Sequence, residues 1–350
     1  MDTPLLSEHR AAHATIAEYS TCVLPELFSN FESEWRAGRE SVALFDTNWH
    51  AITLLTGPDR VRYLNAIVTN NIQSLSEGHG ALALLLNPQG HILAELEVYA
   101  AKDRLTVLSH ASVRERTNAT LDKYIIMDDV ELDDATSRFG TIAIEGPRAA
   151  SVVSQATGVE IENLPEFAWR EAKIAWVACR MIRRSHFGNP GVEILAQREH
   201  LGSLWRTLHS SVHASGGAPI GMKALNSLRL EAGIPWFPVD FNDSVIPHEA
   251  GLENSHISFS KGCYTGQEIV ERVRSRGHVN RLRVRLNFSS EKVPIEGIKL
   301  RANGAEVGYV TSAAFSPASG TAIGMGYLRR EEASAGATVE FDAGAATVLS

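Results

Sequence analysis

Lys261-Gly262-Cys263-Tyr264-Thr265-Gly266-Gln267-Glu268 sets one of only three cysteines between two glycines, just ahead of a helical pattern. Thr265 and Glu268 have the T-x-x-E spacing of a capping box, which predicts Thr265 as the N-cap. Ile269, Val270 and Val273 give the helix an apolar face, and Gly277 is its expected stop. A thiol just outside a helix N-terminus, with Lys261 nearby, ionises more readily than a free one. The octapeptide alone leaves two readings open: a reactive thiolate, or a cysteine packed as a small hydrophobe.

Outward from this stretch the charge is uneven. From Lys261 to Arg285 there are seven cations and two acids, a net +5, against -8 for the whole chain. The remainder is therefore acidic, which argues against non-specific nucleic-acid binding, while the basic segment suggests a local anion site or a solvated face. The 350 residues allow two or three domains, and 44% hydrophobic with 21% charged residues is an ordinary globular composition. Cys22, Cys179 and Cys263 form no C-x-x-C pair, so no zinc site or structural disulfide is expected. Met1 to Ser20 has no long apolar core and carries Asp2, Glu8 and Glu18. It resembles neither a secretory signal nor a transit peptide, and no run reaches membrane-spanning length, so a cytoplasmic location without membrane contact is expected.

Before the octapeptide, strands and helices alternate. A strand at Ala51 to Thr56 runs through Gly57-Pro58-Asp59 into a helix, and Thr141 to Ile144 runs through Gly146-Pro147 into another. This faint echo fits two related α+β halves. Asn87-Pro88-Gln89-Gly90 turns a hairpin between Ala81–Leu86 and Ile92–Tyr99. Glu95 and Glu97 share a face of the returning strand, where Glu97 is expected to meet water. Strands are also predicted at Ile125–Leu132 and Ile174–Ile182. Helices are predicted at Ser112–Tyr124, Glu199–Ala214 and Met222–Ala232, the last bearing Arg229 and Glu231. His186 is expected to be a hydrogen-bonded structural residue. The loop Ile234–Ser258 is long enough to suggest function. After Gly277 the period changes: Leu282, Val284, Leu286 and Phe288 alternate with polar residues, and Asn303-Gly304 marks a hairpin. A small closed β domain is expected there. No P-loop, G-x-S-x-G or H-E-x-x-H is present, and no metal-ligand spacing.

The octapeptide resembles the K-G-C-[YF]-x-G-Q-E signature of the YgfZ family of folate-binding proteins. That family is similar in turn to the T protein (aminomethyltransferase) of the glycine cleavage system. The likeness spans nearly the whole chain, including LLNPQGHILAELEVY (85–99), LRLEAG (228–233) and VGYVTSAAFSPASGTAIGMGYL (307–328). The resemblance implies an α+β, three-domain ring: an N-terminal extension (1–40), a body of two interleaved α+β domains (41–276) and a C-terminal antiparallel β-barrel (277–350). It implies tetrahydrofolate, or a derivative, in a central hole. It also implies a role in assembly or repair of iron–sulfur clusters, supporting enzymes such as the radical enzymes that modify tRNA.

On this reading Cys263 is the working thiol, and its partners are folate and iron–sulfur client or assembly proteins; no direct nucleic-acid contact is expected, and the chain is expected to be a monomer. Lys261 and Arg229 are candidate contacts for the folate glutamate tail. Asn87, Glu193 and Gln267 are further candidate folate contacts. One cysteine cannot hold a cluster alone, so any cluster contact is transient or shared. The alternative is a folate-dependent aminomethyl or one-carbon transferase with Glu95 as its catalytic carboxylate. Two departures bear on it. Glu95 stands where the transferase has aspartate, which moves the charge by one methylene. His186-Phe187-Gly188-Asn189 stands where the transferase has Gly-Tyr-Thr-Gly-Glu, so the folate-anchoring glutamate of that segment is missing.

Overall fold

The computed structural model describes residues 1–349. Its frame is two mostly antiparallel sheets and a closed barrel. The first sheet orders five strands as Gly80–Leu86, Ile92–Ala100, Leu105–His110, His50–Thr56 and Glu131–Asp134. The second orders six as Trp169–Ile174, Val177–Arg183, Gly191–Gln197, Phe139–Glu145, Ala43–Asp46 and Ala218–Pro219; only the last pair is parallel. Both strand–Gly–Pro–helix passages form, leading to helices Arg60–Ile67 and Ala149–Thr157.

Helix Leu201–Ala214 packs on the second sheet because Leu201, Leu204, Trp205, Leu208 and Val212 fall on one stripe, at i, i+3, i+4, i+7 and i+11. Each buried leucine there contributes about 1.5–3 kcal/mol of transfer free energy. The first forty residues join the same body. Leu5 lies in the core beneath the second sheet, and Trp35 lies in a neighbouring cluster. The buried Glu34 carboxylate accepts from the amides of Phe28 (2.7 Å), Ser29 (2.6 Å) and Gly221 (2.7 Å), tying the N-terminal segment to the start of helix Met222–Glu231.

The barrel closes through Arg281–Phe288, Thr321–Arg329, Ala305–Ser316, Lys299–Ala302, Thr338–Phe341 and Gly344–Leu349. Period-2 alternation puts Val284, Leu286 and Phe288 inside. The alternate arginines face the body instead of water: Arg281 bonds Glu249 (3.0 Å), Arg283 the Ala250 carbonyl (2.9 Å) and Arg285 the Glu231 carbonyl (2.9 Å). Asn303 and Gly304, at φ 51° and 79°, make the tight hairpin turn. No helix among the described residues is long and apolar enough to cross a membrane.

Three local expectations are corrected. Ile125–Leu132 is strand only from Glu131; Ile126 and Met127 project into solvent, and among the described residues no strand pairs with them. Ile174–Ile182 is two strands, because the chain reverses at Ala175 (φ 53°) and Trp176 without a glycine to mark the turn. Thr265 does not cap the helix that follows it. That helix runs Gln267–Arg276, its N-cap is Gly266 at φ 81°, and Glu268 pairs with Arg272 at 2.7 Å instead of closing a capping box.

Candidate functional site

A cavity of about 520 Å³ lies where the N-terminal hairpin (Thr15–Tyr19, Cys22–Leu27), both sheets, helix Met222–Glu231 and the barrel meet. That is the size range of small-molecule sites. Strand Ile92–Ala100 points Glu95 and Glu97 into it, as their shared parity requires. Contrary to expectation, Glu97 does not meet water; it is 5% exposed. Arg184 Nε donates to it at 2.9 Å and Tyr99 Oη at 2.5 Å. Burial alone pushes its carboxyl up, but the Arg184 guanidinium and His50 outweigh that and hold it below the usual carboxylate range.

His50 and His186 stand at the cavity wall with the buried Glu193 behind them. His186 Nε2 is 3.0 Å from Glu193 Oε2, so it is the hydrogen-bonded residue expected of it. His50 Nε2 is 3.2 Å from Glu193 Oε1, close enough for an ion pair but outside hydrogen-bond alignment. Burial disfavours the charged imidazole of His50, yet the Glu193 carboxylate outweighs it and raises its pKa. In the same way burial lifts the Glu193 carboxyl, and the two imidazoles bring it well below the ordinary range. His110, with no such partner, is pushed down to about 4 by burial and by the His50 charge.

The turn that delivers His186 is shaped by Glu145. Its buried carboxylate accepts from the amides of His186 (2.5 Å), Phe187 (2.9 Å) and Asn189 (3.0 Å) and from Ser185 Oγ (2.9 Å). Trp49 and Trp236, 5.9 Å apart, and Phe237 supply aromatic wall. Sequence reasoning missed His50, Trp49, Trp236 and Phe237 as site residues. Their one available signal was the length of the Ile234–Ser258 loop, which carries the last two.

The sequence-derived candidates divide between cavity and elsewhere. Glu95 faces the cavity, and Glu193 backs its wall. Arg229 touches the cavity but is 1% exposed and forms a buried pair with Asp240; its Nε donates to Asn226 (2.9 Å) and its Nη1 to the Ile234 carbonyl (3.1 Å). Its charge is therefore spent on the protein rather than on a ligand tail. Lys261 lies away from the cavity lining. Its ammonium donates to the carbonyls of Asn65, Val68 and Asn70, capping the C-terminus of helix Arg60–Ile67, and burial pushes it down to about 8. Asn87 shapes the hairpin turn, accepting from the amides of Gln89 (3.0 Å) and His91 (2.9 Å), and Gln267 opens the following helix. Neither lines the cavity. Within the basic segment, Arg272 and Arg274 pair with Glu268 and Glu271 on their own helix.

Cys263 is exposed, whereas Cys22 and Cys179 are buried with thiols raised to about 11 by burial. It does not line the cavity, and the helix begins four residues beyond it, past the reach of the helix dipole. Its loop is nevertheless joined to the hairpin that carries Glu95. A Cβ on Gly266 would lie 2.7 Å from the Asn87 carbonyl oxygen, and one on Gly90 would lie 2.9 Å from Ile269 Cβ. Both glycines have positive φ. Gly262, by contrast, faces open space.

This arrangement suits a flat, amine-bearing ring. Aromatic sides stack it, and Glu95, at the cavity wall, bonds the described residues through Oε1 alone.

Comparison with known proteins gives concordant matches. Residues 5–261 match the GCVT N-terminal domain and residues 281–349 the glycine cleavage T-protein C-terminal barrel domain. An aminomethyltransferase of Streptomyces coelicolor is 28% identical over 340 residues, covering 95% of this chain and 91% of that protein. One from Caldanaerobacter subterraneus is 26% identical over 341 residues, covering 97% and 90%. The crystal structure of the glycine cleavage system aminomethyltransferase T of Bartonella henselae superposes with a TM-score of 0.90 at 23% identity, covering 100% of this chain and 97% of that one.

Proposed function

The chain belongs to the glycine cleavage T-protein family, and on that premise we propose that it binds tetrahydrofolate, or a derivative, in the central cavity. The observation that carries this reading is the cavity itself: aromatic walls beside the Glu95 carboxylate, which bonds the described residues through one oxygen only. The pterin is a flat ring edged with N–H donors, which that acceptor complements. Trp49, Trp236 and Phe237 would stack it, Glu95 would accept from it, and Glu193 would act from behind the wall by holding His50 and His186 in place. Bound folate supplies a one-carbon acceptor or carrier; the protein's part is to orient it, exclude water and hold a negative charge at Glu95. In the T-protein type of reaction that charge aligns the folate amine for aminomethyl or one-carbon transfer. Titration with tetrahydrofolate, followed by quenching of the cavity tryptophans, is expected to saturate in the micromolar range typical of metabolite sites. No quenching and no binding heat at millimolar ligand would overturn the reading.

A second reading is favoured by one observation, the exposure of Cys263 when the other two cysteines are buried. Together with the Lys261–Glu268 signature, it supports a folate-binding factor of iron–sulfur cluster assembly or repair, with Cys263 as the thiol offered to a cluster or client protein. The two readings predict different sensitive residues. Glu95→Gln removes the charge that transfer needs, and loss of aminomethyl transfer from a lipoyl carrier in that variant favours the first. Cys263→Ala removes the exposed thiol. Undiminished iron–sulfur enzyme activity in cells carrying only that variant eliminates the second.

A further inference from the structure

The Glu95 carboxylate spends only one of its oxygens on the protein. Oε1 lies 2.9 Å from His256 Nε2, its one hydrogen bond among the described residues, and on the far side of the ring Ser255 Oγ lies 2.7 Å from His256 Nδ1. The His256 side chain is 4% exposed and that of Glu95 is 23% exposed, at the cavity wall. The imidazole rides on an anchored backbone: the His256 amide donates to the Leu252 carbonyl at 3.0 Å, and its own carbonyl accepts from Thr69 Oγ1 at 2.7 Å.

Donor and acceptor rules give this line a direction. An ionised carboxylate only accepts, and a neutral imidazole donates from one nitrogen and accepts at the other. The chain therefore runs Ser255 O–H to His256 Nδ1, then His256 Nε2–H to Glu95 Oε1. Ser255 has one competing acceptor, the Leu252 carbonyl, but at 3.4 Å that is much the weaker bond. A carboxylate gripped this way at one oxygen presents the other, charged, to the cavity. The reach also depends on side-chain length: aspartate at the same backbone position would be one methylene short of the imidazole.

We infer that His256 is a positioning residue: through the Ser255–His256–Glu95 line it fixes Glu95 as an acceptor and aims its free oxygen at an N–H or ammonium group of the cavity ligand. The identity of that ligand rests on the folate reading above; the line itself rests on geometry alone.

The test is a double-mutant cycle read as tetrahydrofolate Kd, with Glu95→Gln, His256→Leu and the pair. Each single change is expected to weaken binding on the order of tenfold, the size of one charge-assisted hydrogen bond. The pair is expected to be no weaker than Glu95→Gln alone, since both remove the same interaction. Glu95→Asp, which keeps the charge but not the reach, is expected to behave like His256→Leu. Multiplicative losses, or an undiminished Glu95→Asp, overturn the inference. Because His256→Leu sits near the core, a second measurement uses the unaltered protein without ligand. A long-range 1H–15N spectrum is expected to find the His256 proton on Nε2, and a proton on Nδ1 instead overturns the line. If the unaltered protein binds no folate, the functional reading falls, while the tautomer still judges the line.

Discussion

Replacing Arg229 by Met tests whether this arginine holds the protein together or holds a ligand. The side chain is fully buried, and it neutralises Asp240, which is 0% exposed. Asp240 also accepts from Thr311 Oγ1 (2.7 Å), Ser312 Oγ and the Trp236 amide (2.9 Å), so one carboxylate joins the body to barrel strand Ala305–Ser316. Methionine fills similar volume but strands that carboxylate. Removing one partner of a buried pair costs about 3–5 kcal/mol. With a urea m-value of about 2 kcal/mol/M, the unfolding midpoint falls by about 2 M.

Burial raises the Asp240 carboxyl, but Arg229 and the hydroxyl donors outweigh it and hold its native pKa below the usual carboxylate range. A depressed carboxylate stabilises above its unfolded pKa and loses that contribution as pH falls through the folded one. The gap between the parent protein and Arg229→Met should therefore be full at pH 7 and shrink as the pH drops below about 4. Adding Asp240→Asn to the variant should recover part of the loss at pH 7. The assay is urea unfolding followed by tryptophan fluorescence, since Arg229 lies 4.8 Å from the Trp236 ring. A loss under about 1 kcal/mol, far below the buried-pair range, refutes this account. So does an unchanged midpoint with abolished folate binding, which would return Arg229 to the ligand.

Three further outcomes are expected. His50→Gln removes a histidine whose native pKa is raised, a contribution fully present below the ordinary histidine pKa of about 6.5 and lost as pH rises through the native pKa; destabilisation of about 1–3 kcal/mol at pH 5.5 should therefore exceed that at pH 9, read from urea midpoints. A thiol reagent at pH 8 should modify Cys263 quickly in the native protein and reach Cys22 and Cys179 only in denaturant; equal rates for all three would contradict their burial. Gly266→Ala, strained at φ 81° and against the Asn87 carbonyl, should lower thermal stability, whereas Gly262→Ala should leave it unchanged; equal melting temperatures would count against the interlock.

Local chemistry made much of this molecule readable. The Asn87–Gly90 turn, the alternation of Leu282 to Phe288 and the helix that ends at Ala214 are each decided by neighbours in sequence, and each forms as read. What escaped depends on distant partners. Glu97 is buried because Arg184 meets it from just past the end of strand Val177–Arg183, and the Lys261 ammonium is taken up by backbone carbonyls because helix Arg60–Ile67 ends beside it. The same limit explains Thr265. Its spacing suits a cap, but contact with the Asn87–Gly90 turn sets Gly266 in the left-handed region and starts the helix later. In the site, Glu95 was legible only through the family resemblance, which sets it where the transferase has aspartate, since strand parity put it with Glu97 on a face expected to meet water; His50, Trp49 and the Glu145-held turn at His186 assemble only when the two sheets come together.

The interlock of Gly266 with the hairpin tip has a practical corollary for protein engineering. The eight residues around Cys263 are not a portable cartridge. Moved into a host whose hairpin tip carries a Cβ at the position of Gly90, Ile269 would collide with it and the thiol loop would be pushed off its seat. A transplant has to carry residues 86–90 with 261–269 as one part, two short segments about 170 residues apart that fit each other like a latch and its catch.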